Sequence, residues 1–262
     1  MILLLYLLLG SIAGILAGLF GIGGGLIIVP ALVYSFSLQG IDPEVLTHLA
    51  IGTSLATIVV TSISSIRAHN KHKGVLWHLF FCLVPGIMLG SWLGVYTAFQ
   101  LDGAILQKIF GVFALLMAIR MWCGFSVSES QILPKAPWLA ASGGFIGFCS
   151  SLFGIGGGSI AVPLLSRFHI PMSRSVGTAA ATGLPIAVIG TLSNIVLGYG
   201  DPQLPQLATG FVYWPAFGGI VVTSLFFARW GAKLAHRSSP SLLQKLFAVF
   251  LMLVSIDFLL VS

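Results

Sequence analysis

Apolar residues run in long blocks along this chain, separated by short polar turns. Eight blocks stand out, at roughly 1–36, 46–66, 75–97, 105–124, 138–166, 175–197, 208–232 and 242–261. A helix needs about 20 apolar residues to cross a bilayer, and six of the blocks suit one crossing. Blocks 1–36 and 138–166 are too long for that, and each is interrupted near its middle by a run of glycines. The pattern predicts an all-α integral membrane protein with eight hydrophobic segments.

The two glycine runs are copies of one another. Gly14-Ile15-Leu16-Ala17-Gly18-Leu19-Phe20-Gly21-Ile22-Gly23-Gly24-Gly25 leads to Val29-Pro30, and Gly147-Phe148-Cys149-Ser150-Ser151-Leu152-Phe153-Gly154-Ile155-Gly156-Gly157-Gly158 leads to Val162-Pro163. They lie 133 residues apart in a chain of 262. Further along, Gly52-Thr53-Ser54 matches Gly177-Thr178-Ala179, and Leu106-Gln107-Lys108-Ile109-Phe110 matches Leu243-Gln244-Lys245-Leu246-Phe247. Four segments therefore repeat in the same order. The expected organisation is a first transmembrane half at 1–124, a linker at 125–137 and a second half at 138–262.

Charge bears on how the halves are oriented. Arg67, Lys71 and Lys73 follow the second segment, Arg167 and Arg174 follow the fifth, and Arg229, Lys233 and Arg237 surround the end of the seventh. Asp42, Glu44, Asp201 and Asp257 mark other places. Were every segment to cross once, the basic loops after segments two and seven would fall on opposite sides, against the positive-inside tendency. If segments one and five each turn back at the glycine run, each half crosses three times and the second half is inverted. All three basic regions then share the cytoplasmic side. The expectation is two inverted repeats, each beginning with a glycine-broken helix or helical hairpin followed by three transmembrane helices. Eight plain crossings with a weak charge bias is the alternative.

Composition removes the other broad classes. Charged residues make up 7% of the chain, against about 25% in an ordinary soluble domain. The net charge of +6 lies in short loops between apolar spans, a topogenic distribution rather than a nucleic-acid surface. Met1 to Leu9 lacks a basic start and a small-residue cleavage site, so it reads as mature protein rather than a signal peptide. Cys82, Cys123 and Cys149 form no metal or disulfide spacing. No cofactor, metal or catalytic residue is expected.

A duplicated membrane chain with a broken helix in each half is the usual outline of a transporter. Backbone that leaves helical geometry at membrane depth must be buried in protein or line a cavity. A half-helix starting at such a break presents unpaired amides with a positive end, which suits an anion. Gly21, Gly23, Gly24 and Gly25 from one half, with Gly154, Gly156, Gly157 and Gly158 from the other, are thus candidate substrate-binding positions meeting near the midplane. The spacing of Gly10, Gly14 and Gly18, and of Gly86, Gly90 and Gly94, is instead that of close helix packing. Thr53, Ser54, Thr178 and Asn194 are candidate hydrogen-bond partners for an oxyanion, or else ties between helices. His48, at the start of the second segment, is a candidate for carrying a coupled proton, since its charge changes near neutral pH. The motif lacks GxGxxG and GK[ST], so nucleotide binding is rejected.

With these residues together, the chain resembles the TauE/SafE (sulfite exporter-like) family of membrane anion permeases. The resemblance rests on Gly-Leu-Phe-Gly-Ile-Gly-Gly-Gly at 18–25, its partner at 151–158, the downstream Val-Pro pairs and Gly-Thr-Ser at 52–54, and it covers essentially the whole chain. It implies a carrier of small sulfur-containing anions, of the sulfite, sulfonate or sulfoacetate class, coupled to the proton gradient in the cytoplasmic membrane. Ala179 departs from the doubled pattern, because repeat one has Ser54 there. An anion channel, or a permease for other small organic anions, would share every motif. An intramembrane enzyme is the remote rival, as GxSxG is absent. The partners expected are a small anion and membrane lipid; a homo-oligomer is left open, because the exposed apolar faces would serve lipid or another copy equally well.

Overall fold

The structure is a computed structural model that describes residues 2–20, 24–123, 136–166, 168, 170–235 and 240–260. The linker expected at 125–137 falls almost entirely outside them. Ten helices carry the described residues: α1 (Ile2–Phe20), α2 (Gly25–Leu38), α3 (Pro43–Lys71), α4 (Trp77–Phe99), α5 (Gly103–Cys123), α6 (Ala136–Leu152), α7 (Gly158–Ser166), α8 (Met172–Leu197), α9 (Trp214–Ala235) and α10 (Pro240–Leu260). Among them α3, α4, α5 and Ser173–Leu197 of α8 are long and apolar enough to cross a bilayer, and Leu5–Ile15, α2 and Trp214–Phe227 are shorter apolar stretches. The chain is a multi-pass integral membrane protein. Apolar side chains such as Leu8, Leu89, Trp92, Leu116, Phe226 and Leu253 stand exposed on the outer helix faces, a surface suited to lipid rather than water.

Both overlong blocks are broken at their glycine runs, into α1 and α2 in the first half and α6 and α7 in the second. The block at 208–232 differs from the sequence expectation at its start. Ala208–Thr209 and Val212–Tyr213 form a two-stranded antiparallel hairpin ahead of α9, turned through Gly210 at φ +53°. Apolar strand and apolar helix look alike in sequence when the run is short.

Helix boundaries follow local chemistry. Asp42 caps α3 by accepting from the Glu44 amide at 3.0 Å, and Pro43 occupies the first helical position, where its missing N–H costs nothing. α2 returns along α1: the Tyr6 ring meets Phe36 edge-on, and Gln39 Nε2 donates to the Tyr6 hydroxyl at 2.7 Å.

The halves pack crosswise. α1 lies along α9, with Gly10 facing Ile220 and Thr223 and Gly14 facing Ser224. α6 lies along α4 in the same manner, with Gly143 against Leu83, Gly147 against Ile87 and Gly94 against Phe148. Residue numbers advance together in both pairs, so each pair is parallel. The contacts of α3 with α8 run the other way: Leu55 meets Gly190, Ser62 meets Gly183, and Gly74 beyond α3 meets Gly177. α3 and α8 are therefore antiparallel, although they carry equivalent motifs. α5 pairs with α10 through Phe110, Gly111 and Phe258. The two glycine ladders behave as packing surfaces, since a Cβ on Gly86, Gly90 or Gly94 would collide with the carbonyls of Ala140, Gly144 and Phe148.

Candidate functional site

The second glycine run shows how the chain stops one helix and starts another within five residues. α6 closes on the Ile155 amide, which donates to Ser150 O at 2.8 Å, and the Gly154 amide, which donates to Ser151 O at 3.3 Å. This is the Schellman arrangement, and it needs a left-handed residue at the position after the cap. Gly154 provides it at φ +66°. A side chain there would also press on Val29 Cγ2 at 2.9 Å and Ile51 Cα at 3.0 Å.

α7 then begins on Gly157, whose carbonyl accepts from Ile160 and Ala161 at 3.3 and 2.8 Å. A glycine cap has no side chain to satisfy the first amides. Among the described residues no backbone acceptor is found for the amides of Gly156 and Gly157. Those of Gly158 and Ser159 are the ordinary unpaired amides of a helix's first turn. Pro163, six positions into the helix, has no N–H to donate back to Ser159 O.

The first run repeats this start. Gly24 caps α2 without a side-chain bond, its carbonyl accepts from Ile27 and Ile28, and Pro30 sits where Pro163 does. Gly21 and Gly23 lie outside the described residues. The two breaks touch: a Cβ on Gly25 would stand 2.6 Å from Gly154 O and 2.7 Å from Ile155 Cα. Gly24, Gly25, Gly154, Gly156 and Gly157 are all buried, level with Ile51, Ser54 and Ile58 near the middle of α3. From there α2 runs back toward the start of α3. α7 runs back toward the start of α8, with Gly157 against Thr182 and Ile186. The N-terminus of α2 thus meets the buried segment that leads into α7. No charged residue occurs in 14–30 or 147–163, so any positive end that these runs present is that of their amides.

The hydroxyl candidates hold the halves together around this point. Thr53 Oγ1 accepts from the Tyr213 amide at 2.9 Å, and its repeat partner Thr178 accepts from the Leu76 amide at 2.9 Å. Each threonine thereby fixes the amide just ahead of the fourth helix of the opposite half. Ser54 donates to Gly154 O at 2.8 Å, tying α3 directly to the second break. Asn194 Nδ2 donates to Gly190 O at 2.8 Å within α8, and its Cβ stands against Gly52. His48 lies away from the breaks. Its Nε2 faces Ala98 O and Leu101 O at 3.0 and 3.1 Å, and its Nδ1 faces Glu44 O at 3.2 Å. The ring thus joins the start of α3 to the end of α4, and packs on Phe211.

Two further side chains stand at the second break. Thr182, whose Oγ1 lies 2.7 Å from a Cβ on Gly157, donates its proton to Ala179 O at 2.8 Å. Ser159, in the first turn of α7, is 9% exposed, and its hydroxyl has no hydrogen-bond partner. Its signal in the sequence was a polar residue standing where the first copy has Leu26. Among the described residues no group of His, Cys, Asp or Glu could hold a metal ion.

Comparison with known proteins agrees with this architecture. The chain matches the family described as sulfite exporter TauE/SafE over residues 6–258. It is 40% identical over 257 residues to a probable membrane transporter protein of Haemophilus influenzae, spanning 97% of both chains. A probable membrane transporter protein of Methanocaldococcus jannaschii is 31% identical over 90% of this chain and 87% of its own. One from Bacillus subtilis, YunE, is 29% identical over 73% of this chain and 77% of its own. A match over nearly the whole length, on a fold of packed apolar helices, places the chain in the TauE/SafE sulfite exporter family of membrane transporters.

Proposed function

We propose that the protein is a secondary transporter of small sulfur-containing anions, of the sulfite, sulfonate or sulfoacetate class, in the cytoplasmic membrane. The halves 1–124 and 138–262 act as inverted repeats, each opening with a re-entrant helical hairpin, and substrate binds where the two breaks meet. The observation that carries this reading is the pair of buried glycine-capped N-termini, α2 and α7, the first touching the segment that leads into the second, where amides are left without acceptors. Each N-terminus is equivalent to roughly half a positive charge.

Antiparallel α3 and α8 support the inverted arrangement, since equivalent helices in inverted repeats cross in opposite directions. Thr53, Ser54, Thr178 and Asn194 serve the site by fixing the backbone that lines it. His48 is the candidate for the coupled proton. Both of its ring nitrogens face carbonyls, so the ring links the start of α3 to the end of α4. Lipid covers the outer apolar faces, and a second copy would pack on the same surfaces.

Counterflow in proteoliposomes tests the reading. Vesicles loaded with unlabelled sulfite should take up external labelled sulfite saturably, faster under an imposed pH gradient, and His48→Gln should blunt the response to the gradient. Absence of exchange with sulfite, methanesulfonate and sulfoacetate alike, in folded protein, would overturn the substrate class. Flux without exchange would make the protein a channel.

A further inference from the structure

The hydroxyls around the second break differ in what their protons do. Ser54 gives its proton to Gly154 O, Thr182 to Ala179 O, and Ser151 to Ser91 O at 2.8 Å. None of the three can donate to a ligand without first breaking a bond. Ser150 and Ser159 are uncommitted, both buried and both without a partner. They point differently, however. In a helix the Cα–Cβ bond tilts toward the N-terminus. The Ser150 side chain, in the last turn of α6, is therefore directed back up its own helix and away from the break. The Ser159 side chain, in the first turn of α7, tilts toward the break, the end of its helix at which the Gly156 and Gly157 amides lack acceptors.

A buried hydroxyl without a partner is costly unless something else supplies one. At this place the missing partner is an acceptor, because the neighbouring unpaired groups are themselves donors. We infer that Ser159 Oγ, together with the amides of Gly156 and Gly157, forms an oxyanion-selective contact that the first half does not reproduce. The equivalent position in the first copy is Leu26, an apolar side chain that is 2% exposed. The site is thus one-sided: both N-termini contribute positive potential, and only the second half adds a hydroxyl. A hydroxyl and amides set at different angles reward a ligand with several acceptor oxygens. A halide accepts the same hydrogen bonds at a single centre, and so gains less from donors set apart. The inference deepens the anion reading above and rests on it.

Binding of sulfite, methanesulfonate and chloride to purified protein, read by calorimetry or by tryptophan fluorescence, tests it. Ser159→Ala should weaken both oxyanions about tenfold, the loss of one hydrogen bond to a charged group, and weaken chloride by a smaller factor. Ser159→Thr, which keeps the hydroxyl, should retain oxyanion affinity within about twofold by the same reasoning. Ser255→Ala on α10, which removes another buried and unpartnered hydroxyl, should change nothing. Equal oxyanion affinity in Ser159→Ala and the parent would overturn the serine contact while leaving the amide site standing. An equal fold-loss for chloride and oxyanion would also overturn it, since a packing role weakens every ligand alike. If the parent protein binds none of the three anions, the amide site itself falls, and the serine contact with it.

Discussion

Along α4, Gly86, Gly90 and Gly94 lie against the carbonyls of α6, so that added side chains would strike main chain. At the second break, a Cβ on Gly157 would instead meet Thr182 Oγ1 at 2.7 Å and Ile186 Cδ1 at 3.0 Å, the ends of side chains. The first set has its backbone groups used within continuous helices, while the second leaves amides without acceptors among the described residues. Ladder glycines let two helices approach. Those of the break let a helix begin where nothing else caps it. Glycine content alone does not separate the two uses; the surrounding hydrogen bonds do.

Substitution is the way to test that separation. The largest effect should come from Gly90→Leu, which drives a branched side chain into the Gly144 carbonyl. Overpacking of this kind costs about 3 kcal/mol or more when main chain cannot yield. Size-exclusion profiles and thermal melting in detergent should show aggregation or a strongly lowered midpoint; a monodisperse, stable variant would break the packing assignment.

Gly157→Leu should come next, and its effect should fall on function. Thr182 and Ile186 can turn aside at a cost of about 1–2 kcal/mol, so the protein should remain monodisperse while oxyanion binding drops more than tenfold. Unchanged binding would merge the two glycine classes into one.

The smallest effect concerns the ties that frame the breaks. Thr53→Val and Thr178→Val each strip one amide of its acceptor, Tyr213 N in one case and Leu76 N in the other. Each should lower stability by about 1–3 kcal/mol, and the two losses should be similar. Denaturation series on both variants would sharpen the comparison of the halves, and strongly unequal losses would show that the threonines are not equivalent.

Much of this was legible in the residues. Block lengths located the helices to within a few positions, and the triple glycines marked where two blocks break. Four-residue spacing identified the ladders before their partners were visible. Other features left no local trace. For Thr53 and Thr178 the sequence left an oxyanion contact and a helix tie both open, because their partners, Tyr213 and Leu76, lie more than 100 residues away. The hairpin at 208–213 was hidden because Ala208, Phe211 and Val212 continue the apolar run into α9. Ser159 was visible as a mismatch with Leu26, but its significance depends on which neighbouring hydroxyls have already spent their protons, and sequence does not record that.

The crosswise packing of α1 on α9 and α6 on α4 has a consequence for how the protein is made. α1 leaves the ribosome first, yet its glycine face has no lasting partner until α9 emerges roughly 190 residues later. At about 5–20 residues per second, that wait is of order 10–40 s. During it the small-residue face of α1 must be sheltered by lipid, the insertion machinery or a provisional neighbour. α6 finds α4 already in place and meets no such delay. The two repeats, alike in sequence, are therefore unequal in biogenesis, and faults in α1 should be exposed to quality control far longer than the matching faults in α6.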